Sequence, residues 1–226
     1  SIYPVVAETL AQAHVGLEAV DAIAVTRGPG LAGSLVVGMA MAKGMALALN
    51  LPVVGIPTLN IQAYAQPVLD IPLISVLQSG RGRLAVGLYA NVMGAWQPQG
   101  EARVTTLEDL SASIHKPTFI CGELNSEERR VLARKRVNVQ LASPAAGMRR
   151  PSYLAEMAWE RVQSGLVDDV IMFVTNLFTV IPTFRARRSA AWIEGPSAIG
   201  SENPMPSSSM SAPASREALT ALREVL

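Results

Sequence analysis

Residues 24–50 read AVTRGPGLAGSLVVGMAMAKGMALALN, and the order of textures in this stretch decides the fold. The β-rich run DAIAVT (21–26) leads into a loop built on Arg27, Gly28, Pro29, Gly30, Gly33 and Ser34. The loop opens a helix expected over 34–49, which Asn50 and Pro52 close, and PVVGIP (52–57) is a second short strand. Strand, loop, helix and strand in this order are the βαβ logic of a parallel sheet covered by helices. Glycines between a strand and a helix let backbone amides approach an anion, and the helix N-terminus adds a favourable dipole. The loop departs from both familiar phosphate templates, however. No Lys follows its last glycine, and Pro52–Gly55 offer no carboxylate about 20 residues after the G-x-G-x-x-G spacing. A tight turn whose glycines supply unusual φ angles is the equal alternative.

The helix that follows is more informative. Ala40, Gly44 and Ala48 form a row of small residues, Val37, Met41 and Met45 a second row, and Leu35, Met39 and Leu49 a third, with only Ser34 and Lys43 polar. A surface helix shows a charged face, so this one is expected to be surrounded. One lobe usually covers one side of a helix, which leaves the rest to a partner. Upstream, residues 1–20 put Tyr3, Val6 and Leu10 on one helical stripe that stops near Gly16.

Half of the 226 residues are apolar, enough for a large core, and 19 basic against 18 acidic side chains argue against a protein that holds nucleic acid by bulk charge. The single cysteine excludes an internal disulfide and makes a cysteine zinc site implausible. No basic and apolar leader opens the sequence, and the apolar run 170–182 is too short to span a bilayer, so a cytoplasmic protein with no membrane partner is expected.

Residues 58–66 are expected to be helical. PLISVLQ (72–78) and RLAVGLY (83–89) read as antiparallel strands joined by SGRG. Capping-box spacings, Thr105 to Glu108 and Asn125 to Glu128, mark two helix starts. TFIC (118–121) and VNVQLA (137–142) are strands, and residues 151–165 are a helix with Pro151 in its first turn and Gly165 just past its end. Two α/β lobes follow: 1–67 the first and 68–169 the second, then a divergent apolar and basic segment over 170–194 and a flexible tail over 195–226 with a short terminal helix.

Catalytic groups are scarce. His14 and His115 lie far apart near helix ends, Cys121 at a strand end reads as a buried structural thiol, and Glu123 is a lone carboxylate. The arginines at 129–136 belong to the wet face and end of a helix and mark no nucleic-acid site.

The segment DAIAVTRGPGLAGSLVVGMAMAKGMALALNLPVVGIPTL (21–59) resembles the signature of the Gcp-like (glycoprotease-like) superfamily. The resemblance implies a two-lobed α/β fold of the actin and hexokinase type, ribonuclease H-like. Two branches carry the signature: TsaD, the catalytic subunit of the tRNA threonylcarbamoyladenosine synthase, and TsaB (YeaZ), its non-catalytic partner. TsaD-like proteins follow the signature with an H-x-x-x-H metal pair, where this sequence has Thr58 and Gln62, and carry an SGGHT-like loop, where it has QSGRGRL (78–84). PLISVLQSGRGRLAVGLY, CGEL and RRPSYLAEMAWERVQSGLVDD are similar to the second lobe of the TsaB branch, so the resemblance covers about residues 1–169. The sequence lacks the first-lobe strands with a DTS-like motif that open family members, and after Asp169 it lacks their P-x-YLR-like ending.

The resemblance implies a scaffold without a catalytic or metal centre. It binds a TsaD-like catalytic subunit, and through it a TsaE-like ATPase, so that threonylcarbamoyl reaches the adenosine beside the anticodon of a tRNA met only through the complex. It also implies pairing through helices at 2–14 and 34–49, which places Tyr3, Val6, Leu10, Val37, Met41, Gly44, Met45 and Ala48 at an interface with that subunit or with a second copy. ATP or ADP with magnesium then belongs to the complex rather than to this chain. Two rivals stand beside this: an ATP-binding enzyme of the same fold using the RGPG loop, and a truncated paralogue without function. A metalloprotease is disfavoured, because no metal-ligand set is present.

Overall fold

The computed structural model describes residues 2–135 and 137–173. The glycine stretch forms the expected unit: strand β1 (Ile23–Gly28), helix α2 (Ala32–Leu49) and strand β2 (Val53–Pro57), with β1 and β2 parallel from Ile23 opposite Val53 to Gly28 opposite Pro57. Helix α2 starts two residues before the expected Ser34, because the loop is complete once Leu31, in extended conformation, serves as its N-cap. It ends at Asn50, whose own N–H bonds the Ala46 carbonyl and whose left-handed backbone (φ 53°) turns the chain so that the Leu51 N–H reaches the same oxygen at 2.9 Å, a C-terminal cap open to Asn. By length and composition alone α2 is apolar enough to cross a membrane. It is instead the crossover of the βαβ unit and lays Met39, Ala42 and Ala46 against Ile23, Val25 and Val53 of the sheet. Helix α1 (Tyr3–Gln12) precedes this unit, has Pro4 in its first turn and buries none of its residues. It ends before the expected Gly16, as His14 turns left-handed at φ 55°.

Helix α3 (Thr58–Tyr64) follows β2 directly and leads to a larger sheet. Strands β3 (Leu73–Gln78) and β4 (Arg83–Val92) form the expected antiparallel hairpin, and β7 (Thr118–Gly122) and β8 (Val139–Leu141) continue the sheet in parallel. Two further strands escaped the sequence reading. Strand β5 (Ala95–Pro98) pairs with the far end of β4 and β6 (Arg103–Thr106) with its near end, giving the order β5-β4-β3-β7-β8 with β6 beside β4. Each has four residues and no run of alternating apolar side chains. The two-residue turn between β4 and β5 uses Met93 and Gly94, both at positive φ, as such hairpins require.

Helix α4 (Leu107–Ser113) corrects one expectation: its cap is Thr106, not Thr105. Both threonines pair with β4, Thr105 opposite Leu84 and Thr106 opposite Arg83, but the helix starts at Leu107, so it is the Thr106 hydroxyl that accepts the Asp109 N–H at 3.1 Å. Helix α5 (Ser126–Ala133) has the expected capping box: Asn125 Oδ1 accepts the Glu128 N–H at 2.9 Å, and Glu128 Oε2 accepts the Asn125 N–H at 2.7 Å.

Period-two alternation splits the second sheet into two cores. Leu73, Leu77, Ala85, Tyr89, Phe119 and Cys121 face α3, whereas Val76, Leu84, Val86 and Ile120 face Leu110 and Ile114 at α4 and Leu132 of α5. Helix α6 (Pro151–Gln163) is next in sequence to the second sheet but packs on the first. Tyr153, Leu154, Met157, Ala158 and Val162 meet Ala24, Val54 and Ile56 on the face opposite α2.

Leu132 is completely buried among these side chains. Leu132→Ala should lower the unfolding free energy by about 2–5 kcal/mol, the range for a core cavity. A urea titration followed by circular dichroism checks this through a lower midpoint.

Candidate functional site

The glycine loop lies where β1 ends and α2 begins. Gly28 has φ 105°, a backbone that side chains disfavour, so glycine is needed there. Space does not demand it at Gly33, where a Cβ would meet nothing within 4 Å. The first turn of α2 carries no side-chain cap. Its opening N–H groups therefore keep the polarity that suits an anion.

Arg27, expected in the loop, instead lies in β1 at the irregularity between Thr26 and Gly28, and its side chain points to the end of the described residues. Its Nη1 lies 3.5 Å from Asp168 Oδ1, and its guanidinium carbon stands 5.3 Å from the centre of the Phe173 ring. Asp168 also accepts the Gly55 N–H through Oδ2 at 2.8 Å, and Arg161 Nη1 donates to the Gly55 carbonyl at 2.9 Å. Sequence spacing could not have found this cluster, since 141 residues separate Arg27 from Asp168.

The rows of α2 are treated very differently. Leu35, Met39, Ala42 and Ala46 are buried, Met41 and Met45 are half-buried, and Ala40, Gly44 and Ala48 are exposed. Val37 is 55% exposed, as are Val36 and Leu47 at 52% and 63%, two members of the open face that the row reading passed over. Lys43, the one charged side chain of the helix, donates to the Ile171 carbonyl at 3.1 Å. On α1, Tyr3 is 68% exposed, while Val6 and Leu10 are half-buried. The described residues thus cover a single stripe of α2 and leave an uncharged face open.

Thr58 and Gln62 sit one turn apart on α3, only 1% and 2% exposed. Gln62 Oε1 accepts from Ser75 Oγ at 2.9 Å, and the Cys121 thiol points at the Gln62 carbonyl at 3.8 Å. A hydroxyl and an amide are poor ligands for a transition metal, and among the described residues no three of His, Cys, Asp and Glu come together as a metal set. His14 and His115 are both exposed. Glu123 is paired with Arg149 at 2.8 Å rather than alone. Arg129 and Lys135 hold carbonyls of Ala142 and Ser111, so both serve the fold. The basic run 185–188 and the terminal helix expectation lie outside the described residues.

Burial pushes the Cys121 thiol from its ordinary 9.0 up to about 12, with a partly opposing hydrogen bond from Ser75. The Tyr64 hydroxyl rises from 10.0 to about 12, first by burial and then by Glu156 and Glu160 nearby.

Two sheets with helices on both faces, joined through α3 and α6, define a two-lobed α/β protein of the actin and ribonuclease H-like type, in the form seen in YeaZ structures. A crystal structure of a protein with similarity to peptidase YeaZ from Pseudomonas aeruginosa matches with a TM-score of 0.60 at 21% identity, over 77% of this chain and 81% of the other. YeaZ from Pseudomonas aeruginosa matches with a TM-score of 0.59 at 22% identity, over 76% and 82%. The family model of TsaD, tRNA N6-adenosine threonylcarbamoyltransferase, covers residues 1–142, and the chain belongs to this family. Among curated relatives, the tRNA N6-adenosine threonylcarbamoyltransferase of Symbiobacterium thermophilum is 43% identical over 83 residues, 35% of this chain and 24% of that protein. The protein of the same description from Moorella thermoacetica is 46% identical over 84 residues, 35% of this chain and 25% of the other. The chain thus spans about a quarter of the length of the curated relatives it matches.

Keeping Cys121 neutral stabilises the fold fully below about pH 9, and this contribution is lost as pH climbs toward about 12, where the buried thiol ionises. At pH 8 the native protein should resist iodoacetamide and react only after unfolding. Mass spectrometry of the alkylated protein, with and without urea, checks this.

Proposed function

We propose that this chain is a non-catalytic partner subunit of the TsaB (YeaZ) kind. It binds a TsaD-like catalytic subunit, and through that subunit a TsaE-like ATPase, and so supports threonylcarbamoyl transfer to the adenosine next to the anticodon of tRNA. One observation carries the reading: α2 exposes Val36, Val37, Ala40, Gly44, Leu47 and Ala48 on a face without charge. Burying such a face contributes roughly 25 cal/mol per Å² of apolar area, and small residues let a second helix backbone approach closely. The YeaZ-like fold supports the choice of branch. So do Thr58 and Gln62, whose buried hydroxyl and amide replace the histidines that the resemblance assigns to the catalytic branch. In this reading nucleotide and magnesium belong to the complex, tRNA is met only there, and a second copy is the competing occupant of the same face.

A second reading is favoured by the uncapped first turn of α2 behind the glycine loop: an enzyme that holds a nucleotide phosphate there. Calorimetry on the isolated chain with millimolar ATP and magnesium separates the two, because the partner-subunit reading expects no heat of binding.

Val37 is exposed, so Val37→Glu should leave the circular dichroism spectrum and melting temperature unchanged. It should weaken capture of the co-expressed TsaD-like subunit by at least about tenfold, equal to about 1.4 kcal/mol. In a strain lacking its own TsaB, the same variant should restore less of the modified adenosine, measured by mass spectrometry of tRNA. Undiminished affinity in the variant removes α2 from the interface.

A further inference from the structure

Beyond α6 the chain turns at Gly165 (φ 71°) and crosses to the outer edge of β2. The Asp168 N–H donates to the Val53 carbonyl at 2.9 Å, forming an antiparallel bridge. Its carboxylate takes the next free donor of the strand, the Gly55 N–H at 2.8 Å, and stands 3.7 Å from Arg161 Nη2 and 3.5 Å from Arg27 Nη1. Asp169 then starts a single turn by accepting the N–H groups of Ile171 at 2.7 Å and Met172 at 3.1 Å. That turn delivers Phe173, 4% exposed, into the same apolar cluster as Met39, Ala42, Ala46 and Val53.

One helix covers only part of the face it packs on. Over Gly55 the remaining space is filled by the Phe173 ring and the stem of Arg27, so closely that a Cβ at Gly55 would collide with both. Lys43 ties α2 to this segment by donating to the Ile171 carbonyl at 3.1 Å. The helix is therefore held between the sheet below it and residues 166–173 beside it, while its open face touches neither.

We infer that residues 166–173 are a strap that fixes the stance of α2 on the first sheet, which makes Asp168 and Phe173 positioning residues for whatever binds the open face. The inference rests on the partner-subunit reading for its functional consequence. Its structural half stands alone: the strap holds α2 by an ionic latch at the β2 edge and an aromatic wedge beneath the helix. Displacing the strap loosens α2 without altering any residue of the exposed face.

Asp168→Ala removes the carboxylate that holds the Gly55 N–H and the two arginines, and Gly55→Ala pushes the wedge out by a methyl group. In the full chain, hydrogen exchange followed by mass spectrometry should show α2 amides over 39–46 exchanging at least tenfold faster in both variants, with strands β3 and β7 unchanged. Capture of the TsaD-like subunit should weaken severalfold in both. Should Gly55→Ala not fold, Asp168→Ala carries the test by itself. Unchanged exchange in α2 overturns the strap, and faster exchange with full partner affinity overturns its positioning role. Failure of the wild-type chain to bind the subunit, with the exchange difference intact, removes the partner reading and leaves the strap as a purely structural latch.

Discussion

A parallel pair of strands has no stability of its own, because each strand exposes backbone groups that water or another element must satisfy. In the first lobe the carboxylate of Asp168 answers this at the outer edge of β2, taking the Gly55 N–H and drawing Arg161 and Arg27 to itself. Arg161 completes the arrangement by donating to the Gly55 carbonyl. The three charged side chains are partly exposed, at 17% to 33%, so solvent screens their attraction. The hydrogen bonds to β2 are the firmer part, since a group left unpaired there forfeits its full hydration. Helix α6 supplies Arg161 to this cluster and packs on one face of the sheet, while α2 and Phe173 cover the other.

Sandwiched in this way, the sheet fixes how α2 meets the rest of the molecule. An apolar helix is normally wrapped on all sides, yet among the described residues this one is fully buried on its domain at Leu35, Met39, Ala42 and Ala46, with Met41 and Met45 half-buried beside them. The uncovered side is built from Val, Leu, Ala and Gly, residues that offer shape and area but no directional polar contact. Specificity on such a face depends on its geometry, which is why the elements behind the helix matter as much as those on it. The glycine loop, at the same end of the helix, has its arginine engaged with Asp168 and Phe173.

Much of this was legible in the residues because it is local. The βαβ unit, the SGRG hairpin, the Asn125 capping box and the Pro151 to Gly165 helix are all written in neighbours within a few positions. The errors have the same origin. Thr105 and Thr106 offer equal hydroxyls and both pair with β4, so which of them caps α4 follows from where β6 ends and the helix begins, at Leu107. Strands β5 and β6 exist because β4 is long enough to pair with both, which their own four residues do not announce. The packing of α6 on the first sheet and the partners of Arg27 depend on residues about 100 or more positions apart. A single sequence carries no signal for such pairs. The family signature was recognisable because its glycines and small residues answer local backbone demands, and the family model covers the same region. The open face of α2 was half legible: composition showed that no water-loving side existed, but which stripe the domain keeps follows from the sheet.

The latch also sets an order of events during synthesis. Gly55 and its Asp168 partner are 113 residues apart, whereas every strand of the second sheet lies between residues 73 and 141. Closing a loop of that length must await the emergence of both ends from the ribosome. The second sheet can therefore assemble on the nascent chain while β1 and β2, made earlier, still lack α6 and the segment that seals their edge. Among the described residues, the lobe that is translated first is thus the one sealed last, and in that interval the edge of β2 is open to pairing with other strands.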